Sequence, residues 1–454
     1  MSLSAWRGEL LWFVADPGSG AGDPAAWRHE TDGVLLTRDG RVEAAGPAAT
    51  LLPSLPAGTE VVDCRGSLLL PGFVDTHVHY AQTGVIASCG GELLEWLERY
   101  TFPAEARFGD PAHARAEAEF FLGELTRNGT TTALVFATTH PASADAIFEA
   151  ALSRDLCLVA GKVMMDRNCP EWLRDTAQSS YDDSKALIAK WHGRGRLGYA
   201  VTPRFAPTST DAQLEAAGAL VREHPGVWVQ SHVAENRAEM RWVAELFPWS
   251  RSYLDVYDRF GLVGPRSVYA HCVHLDRRDR ERMARAGAAM SFCPTSNLFL
   301  GSGLFDLDAA SAAGAQVALG TDVGAGTSFS MLQTLNEAYK VAQLAGQRLS
   351  PMRAFYLATL GGAQALGLDA RIGSFEPGRD ADFVVLDPRA TPLLAHRTAI
   401  AEHLSEKLFA LMMLGDDRAV SMTCVRGRPA HVRQPAFCPI SKFDNPSIAR
   451  TIAE

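Results

Sequence analysis

The sequence predicts an α/β protein, a (β/α)8 TIM barrel with a small β-sandwich domain built from both termini. Three observations lead there. Residues 68–372 alternate short apolar, β-branched runs with helical patterns, the signature of a parallel sheet. Residues 1–67 and 373–454 are instead strand-rich, with a surface tail expected over the last fifteen or so residues. Polar side chains gather at the ends of the barrel strands, where barrel active sites lie. A doubly wound open sheet competes with this arrangement, but no glycine-rich nucleotide turn follows any strand.

In chain order, residues 9–14 and 33–37 read as strands, separated by a loop of small residues at 16–22. The second strand turns into residues 42–45 across Asp39-Gly40, a hairpin signal because such turns need positive φ. Residues 68–79 read as one buried strand carrying His77 and His79. Seven further strand candidates follow at 131–136, 156–163, 197–202, 227–232, 267–271, 288–293 and 316–322. Between them, one helix starts at Asp110-Pro111, an N-cap followed by proline at the first helical position, and stops at Asn128-Gly129. Another runs from Asp211 to Glu223, with Leu214, Ala217, Leu220 and Val221 as its apolar stripe. The strands at 381–386 and 419–425 return to the character of the N-terminal segment.

Composition bounds the function. A chain of 454 residues, 47% hydrophobic and 21% charged, is a globular protein. A net charge of −9 argues against a nucleic-acid polymer or an anionic membrane as partner, since both select basic surfaces. The eight cysteines (64, 89, 157, 169, 272, 293, 424 and 438) form no Cys-x-x-Cys pair and fit reduced, buried thiols. There is no signal-peptide pattern, and no apolar run reaches the ~18 residues of a membrane span, so a soluble, cytoplasmic protein is expected.

The chemistry lies at the strand ends. Side chains on a strand alternate, so His77 and His79 point the same way and can share one ion. With 13 histidines in the chain, one His-x-His carries little alone. Its company matters: His232 ends the fifth strand, His271 the sixth and Asp322 the eighth. Three imidazoles and a carboxylate around one divalent cation leave a position open for water, the catalytic rather than the closed arrangement. Glu235, three residues past His232, is placed to reach that water, although a first-turn glutamate also suits a helix dipole. His274 reads as structural or solvent-facing, and Lys162, in mid-strand, as paired or snorkelling. No lysine ends the fourth strand, which disfavours a second, lysine-bridged metal.

These residues carry a resemblance. Pro71-Gly72-Phe73-Val74-Asp75-Thr76-His77-Val78-His79, with Ser231-His232, Ala270-His271 and Gly320-Thr321-Asp322, is similar to the amidohydrolase superfamily, in its mononuclear deaminase branch. Residues 93–105, Val201-Thr202-Pro203-Arg204-Phe205, Cys293-Pro294-Thr295-Ser296-Asn297 and 320–332 resemble the guanine deaminases within it. The resemblance implies hydrolysis of guanine to xanthine and ammonia in purine catabolism. It implies one Zn2+ per subunit, with Fe2+ an alternative, held by His77, His79, His232 and Asp322. Glu235 would be the proton shuttle, Asp322 would take the water's proton and His271 would hold the attacking oxygen. Arg204 and Gln82 would donate to the base's carbonyl, with Phe205, Leu93 and Trp96 giving ring contacts. The partners implied are a small purine base and water, and the family suggests a homodimer. Departures are small: Ala325 stands where a glycine is expected, stiffening the loop after strand eight, and Cys89 lies in a variable part of the pocket wall. Alternatives are a sibling enzyme acting on another purine, pterin or triazine ring, and a non-catalytic scaffold, which would lack several of these ligands.

Overall fold

The computed structural model describes residues 3–20 and 22–434. Its strands, in chain order, are β1 Leu3–Phe13, β2 Trp27–Arg38, β3 Arg41–Pro47, β4 Glu60–Pro71, β5 Phe73–His79, β6 Thr130–Phe136, β7 Cys157–Gly161 and β8 Val163–Met164. They continue as β9 Leu197–Pro203, β10 Trp228–Val233, β11 Ser267–His271, β12 Ala289–Phe292, β13 Gln316–Leu319, β14 Phe383–Leu386, β15 Val420–Val425 and β16 Arg428–Val432.

Eight parallel strands make the barrel, in the order β5, β6, β7, β9, β10, β11, β12, β13, with the short β8 pairing β9 beside the path. The ring is completed where the chain after β13 returns to β5. Asp322 N–H donates to the His77 carbonyl (2.9 Å) and His79 N–H to the Val323 carbonyl (2.8 Å). Every barrel strand contributes to the inner floor: Val74, Leu134, Cys157, Val159, Ala200, Trp228, Val268, Ala289 and Ala318 belong to one buried cluster. A single tryptophan among alanines and valines fills that layer, and its indole N–H donates to the Leu366 carbonyl (2.8 Å) below the barrel. The interior is therefore packed at the bottom and opens only at the C-terminal strand ends.

The helices between strands pack on the outside through apolar stripes. Helix Pro111–Arg127 starts where expected, with the Asp110 side chain accepting from Ala112 N–H (2.9 Å), and buries Ala114, Ala118, Phe121, Leu122 and Leu125. Helix Asp211–Glu223 buries Leu214, Ala217 and Leu220, and the Thr210 side chain caps it.

The expected β-sandwich domain takes the form of one continuous seven-stranded sheet, ordered β16-β15-β14-β4-β1-β2-β3. Strand β4 joins the contributions of the two termini: it runs parallel to β1 and antiparallel to β14. A register shift between Gly8 and Leu10 marks a bulge in β1. The β2–β3 hairpin turns at Asp39 (φ 49°) and Gly40 (φ 81°), as their sequence requires.

The stretch 68–79 differs from its reading as one strand. Gly72 divides it: Leu68–Leu70 pair with β14 in the terminal sheet, while Phe73–His79 begin the barrel. A Cβ on Gly72 would stand 2.1 Å from Thr131 Oγ1, so the crossing between sheets has room only for glycine. Apolar content is continuous through the crossing because both halves are buried, which is why periodicity hides the break.

The seven described cysteines are free; six are buried, but Cys89 is exposed, which corrects the reading of the cysteines as uniformly buried. It lies in a glycine-rich loop, Cys89-Gly90-Gly91, between helical segments, so no core forms around it. Cys438 and the expected tail lie outside the described residues. Among the described residues no helix is long and apolar enough to cross a membrane.

Candidate active site

At the C-terminal mouth of the barrel, strand alternation brings four ligand-type side chains together. His77 and His79 come from β5, His232 from β10, and Asp322 from the turn after β13, where its φ of 52° swings the carboxylate inward. One ligand atom from each lies within 4.8 Å of all the others. His77 Nε2 and His79 Nε2 are 3.2 Å apart, and His232 Nε2 is 3.2 Å from His79 Nε2. Asp322 Oδ1 stands 3.1 Å from His77 Nε2 and 3.3 Å from His79 Nε2.

The donor set fits a divalent cation. Burial pushes His79 down to about 4, and burial with three neighbouring imidazoles holds His232 well below the ordinary imidazole range. Both rings are neutral, and His232 Nδ1 donates to the Arg204 carbonyl (2.6 Å). Its Nε2 therefore presents a bare lone pair to the cluster. Nitrogen lone pairs and a carboxylate oxygen converging this closely away from water repel one another unless a cation lies among them. His271, Cys293 and Asp322 form a second group of ligand-type atoms. Burial raises Cys293 well above the usual thiol range, so it offers a neutral thiol rather than a ligating thiolate.

Around the cluster lies a cavity lined by His79, Gln82, Leu93, Trp96, Leu97, Arg204, Phe205, His232, Glu235, Glu239, His271, Leu300, Asp322 and Ala325. Glu235 and His271 approach the metal-ligand cluster from the side of β10 and β11. Glu235 Oε2 is 3.3 Å from His271 Nε2, and Glu235 Oε1 accepts from Ser302 Oγ (2.9 Å). Burial, with Glu239 and Asp322 adding to it, pushes Glu235 well above the carboxylate range. On the opposite side Arg204, just after β9, joins Gln82, and hydrophobic side chains of Leu93, Trp96 and Phe205 form the walls.

The residues assigned to the site from the sequence meet at this mouth: His77, His79, His232 and Asp322 in the cluster, and Glu235, His271, Gln82, Arg204, Phe205, Leu93 and Trp96 lining the cavity. His274 is half-buried and bonds the Ser302 carbonyl (2.9 Å), a structural contact. Lys162 is fully buried and ion-paired with Asp175. Ala325 lines the cavity and packs with the apolar wall, whereas Cys89 does not line it; its carbonyl accepts the Tyr100 hydroxyl.

Residues 68–430 match the amidohydrolase family. The chain belongs to that family. Among its members, the guanine deaminase of Escherichia coli K12 is 53% identical over 95% of this chain and 98% of its own length. The solved structure of E. coli guanine deaminase superposes with a TM-score of 0.91 at 50% identity, covering 95% of this chain and all of that one. Guanine deaminase from C. acetobutylicum, solved with guanine bound in its active site, superposes at 0.85 with 30% identity over 94% of this chain and 100% of that one.

This amidohydrolase also places at the site residues to which the sequence reading assigned no role. Asp75 accepts from His77 N–H (3.2 Å) and Thr321 N–H (3.1 Å), tying the ends of β5 and β13 together beneath the cluster. Asn297 Nδ2 lies 3.0 Å from His271 Nδ1 and fixes that ring. Glu239 accepts from the backbone N–H groups of Glu235 (3.0 Å) and Asn236 (3.1 Å) and from the Tyr253 hydroxyl (2.8 Å). It thereby holds the turn at Ala234, whose φ is 52°. Glu105 stands behind Arg204 and Gln82. Asp75, Glu105 and Asn297 lie in the family-like stretches, while Glu239 completes the Asn236-x-x-Glu239 capping box. The buried Trp96 Nε1 has no hydrogen-bond partner, so a wall read as apolar also offers a donor.

Proposed function

We infer that this amidohydrolase hydrolyses guanine to xanthine and ammonia. The observation that carries the reading is the placement, around one cavity, of a lone-pair cluster suited to a divalent cation, a buried glutamate beside it and the donor side chains of Arg204 and Gln82.

His77, His79, His232 and Asp322 would hold the cation, for which zinc suits three imidazoles and a carboxylate and iron is the alternative. When bound, it would supply Lewis acidity that makes water a nucleophile near neutral pH. The remaining steps fall to the chain. Arg204 and Gln82 donate to the carbonyl of the base and orient its amine-bearing carbon towards the cluster. The Glu235 carboxyl protonates the ring nitrogen next to that carbon, making it electrophilic. Asp322 accepts a proton from the attacking water while His271 Nε2, with Asn297 on its other nitrogen, hydrogen-bonds the water oxygen. A C–O bond forms. Glu235, now a carboxylate, takes the proton left on the new hydroxyl and passes it to the amine. The C–N bond breaks to release ammonia as the new C=O forms, and the proton held by Asp322 returns to Glu235. Leu93, Trp96, Phe205 and Leu300 exclude bulk water from the exchange.

Xanthine formation from guanine, assayed beside adenine, cytosine and S-adenosylhomocysteine, tests this. We expect guanine to be strongly preferred; turnover of another substrate with guanine untouched would reverse the assignment.

A further inference from the structure

The cavity wall that faces the carbonyl of the base owes its polarity to a residue that does not line the cavity. Glu105 sits on helix Phe102–Ala106, is fully buried, and lies behind Gln82 and Arg204. Arg204 Nη1 donates to both Glu105 oxygens at 2.8 Å, and Gln82 Nε2 donates to Glu105 Oε1 at 3.1 Å. Gly324 N–H lies 3.4 Å from the other end of the amide, Gln82 Oε1.

An amide can turn either end towards a cavity, since its oxygen accepts and its nitrogen donates. A carboxylate only accepts. With Glu105 behind it and a backbone N–H on Oε1, the Gln82 amide has one satisfied orientation. The guanidinium of Arg204 is likewise held at Nη1, and among the described residues no hydrogen bond engages its Nε or Nη2. What remains for a ligand is N–H, which pairs with a carbonyl oxygen and leaves an amine at the same place unpaired. Sites built this way discriminate strongly, because the wrong ligand strands a buried donor.

We propose that Glu105 is a positioning residue that fixes Arg204 and Gln82 as donors, and so selects rings bearing a carbonyl over rings without one at that place. This rests on the reading of the site as a guanine-hydrolysing one, but its test stands apart from that reading. Hypoxanthine keeps the carbonyl and lacks the amine that would be hydrolysed; purine lacks both.

Binding of each is measured on metal-loaded wild type, Glu105→Gln and Glu105→Asp, alongside xanthine production from guanine. In Glu105→Gln the preference for hypoxanthine over purine should fall about tenfold or more, the loss expected when a hydrogen bond involving a charged group is weakened. Glu105→Asp, which keeps the charge, should recover part of it. An unchanged preference in a folded variant, or equal loss for both ligands, overturns the proposal. If Glu105→Gln does not fold, the preference in Glu105→Asp decides: intermediate supports the lock, and wild-type-like overturns it. If wild type makes no xanthine, the functional reading fails while the hypoxanthine-to-purine preference still reports on Glu105.

Discussion

Glu235 concentrates the chemistry in one side chain. Its carboxyl is buried, held by Ser302 and His271, and shifted by burial towards its protonated form. Glu235→Gln keeps the shape and removes the proton carrier. We expect metal content unchanged and guanine turnover lower by about two to four orders of magnitude, as for loss of a general acid–base group; a near-normal kcat would exclude the role. Arg204→Ala removes the donors to the carbonyl and strands the buried Glu105 carboxylate. kcat/KM for guanine should fall by about two orders of magnitude or more, and an unchanged value would place the guanidinium outside the binding site. The histidines, Asp322 and Glu235 were legible in the sequence because barrel topology sends strand ends to one mouth, and Arg204 through the family resemblance of the segment after the fourth strand. Glu105 and Asn297 fell inside family-like stretches, but their roles were not legible, since each acts through a partner far along the chain.

Secondary structure was legible wherever a terminus is chemically marked. Helix Pro111–Arg127 begins at a capping aspartate followed by proline, and Asp110→Ala should cost about 1 kcal/mol of stability with guanine turnover unaffected, as read by denaturant unfolding and by assay. No loss of stability would mean that the Asp110–Ala112 bond contributes nothing. The run 68–79 was less legible, because a strand buried in one sheet and a strand buried in the next look alike when only glycine stands between them. The loop after β13 is constrained in the same way by close approach. A Cβ on Gly324 would lie 2.5 Å from the Gln82 carbonyl, so Gly324→Ala should displace Gln82 and raise KM for guanine while costing about 1–3 kcal/mol. Wild-type KM in that variant would show that the loop yields freely.

At the level of the whole molecule, a buried ion cluster fastens the terminal sheet to the barrel floor. Arg196, just ahead of β9, pairs with Asp382 and, through Nε at 3.1 Å, with Asp380, both just ahead of β14. Burial works to lower the guanidinium's pKa, and the two carboxylates more than offset it. Asp382 also accepts from Arg426 N–H (2.9 Å), and its carbonyl accepts from Gly72 N–H (3.0 Å) at the crossing between sheets. Asp382→Ala leaves a buried cation short of its partner and should cost about 3–5 kcal/mol by denaturant unfolding; a loss below 1 kcal/mol would mean water takes over the carboxylate's place. None of this was visible in the sequence, because the partners are some 186 residues apart. The barrel those contacts support brings His77, His79, His232 and Asp322 together, and on the proposed reading they hold a single cation. Chelator-stripped protein titrated with Zn2+ while xanthine formation is followed tests that most directly. We expect no turnover without metal and a linear rise that breaks at one equivalent per chain; full activity in the stripped protein, or a rise that never saturates, would contradict it.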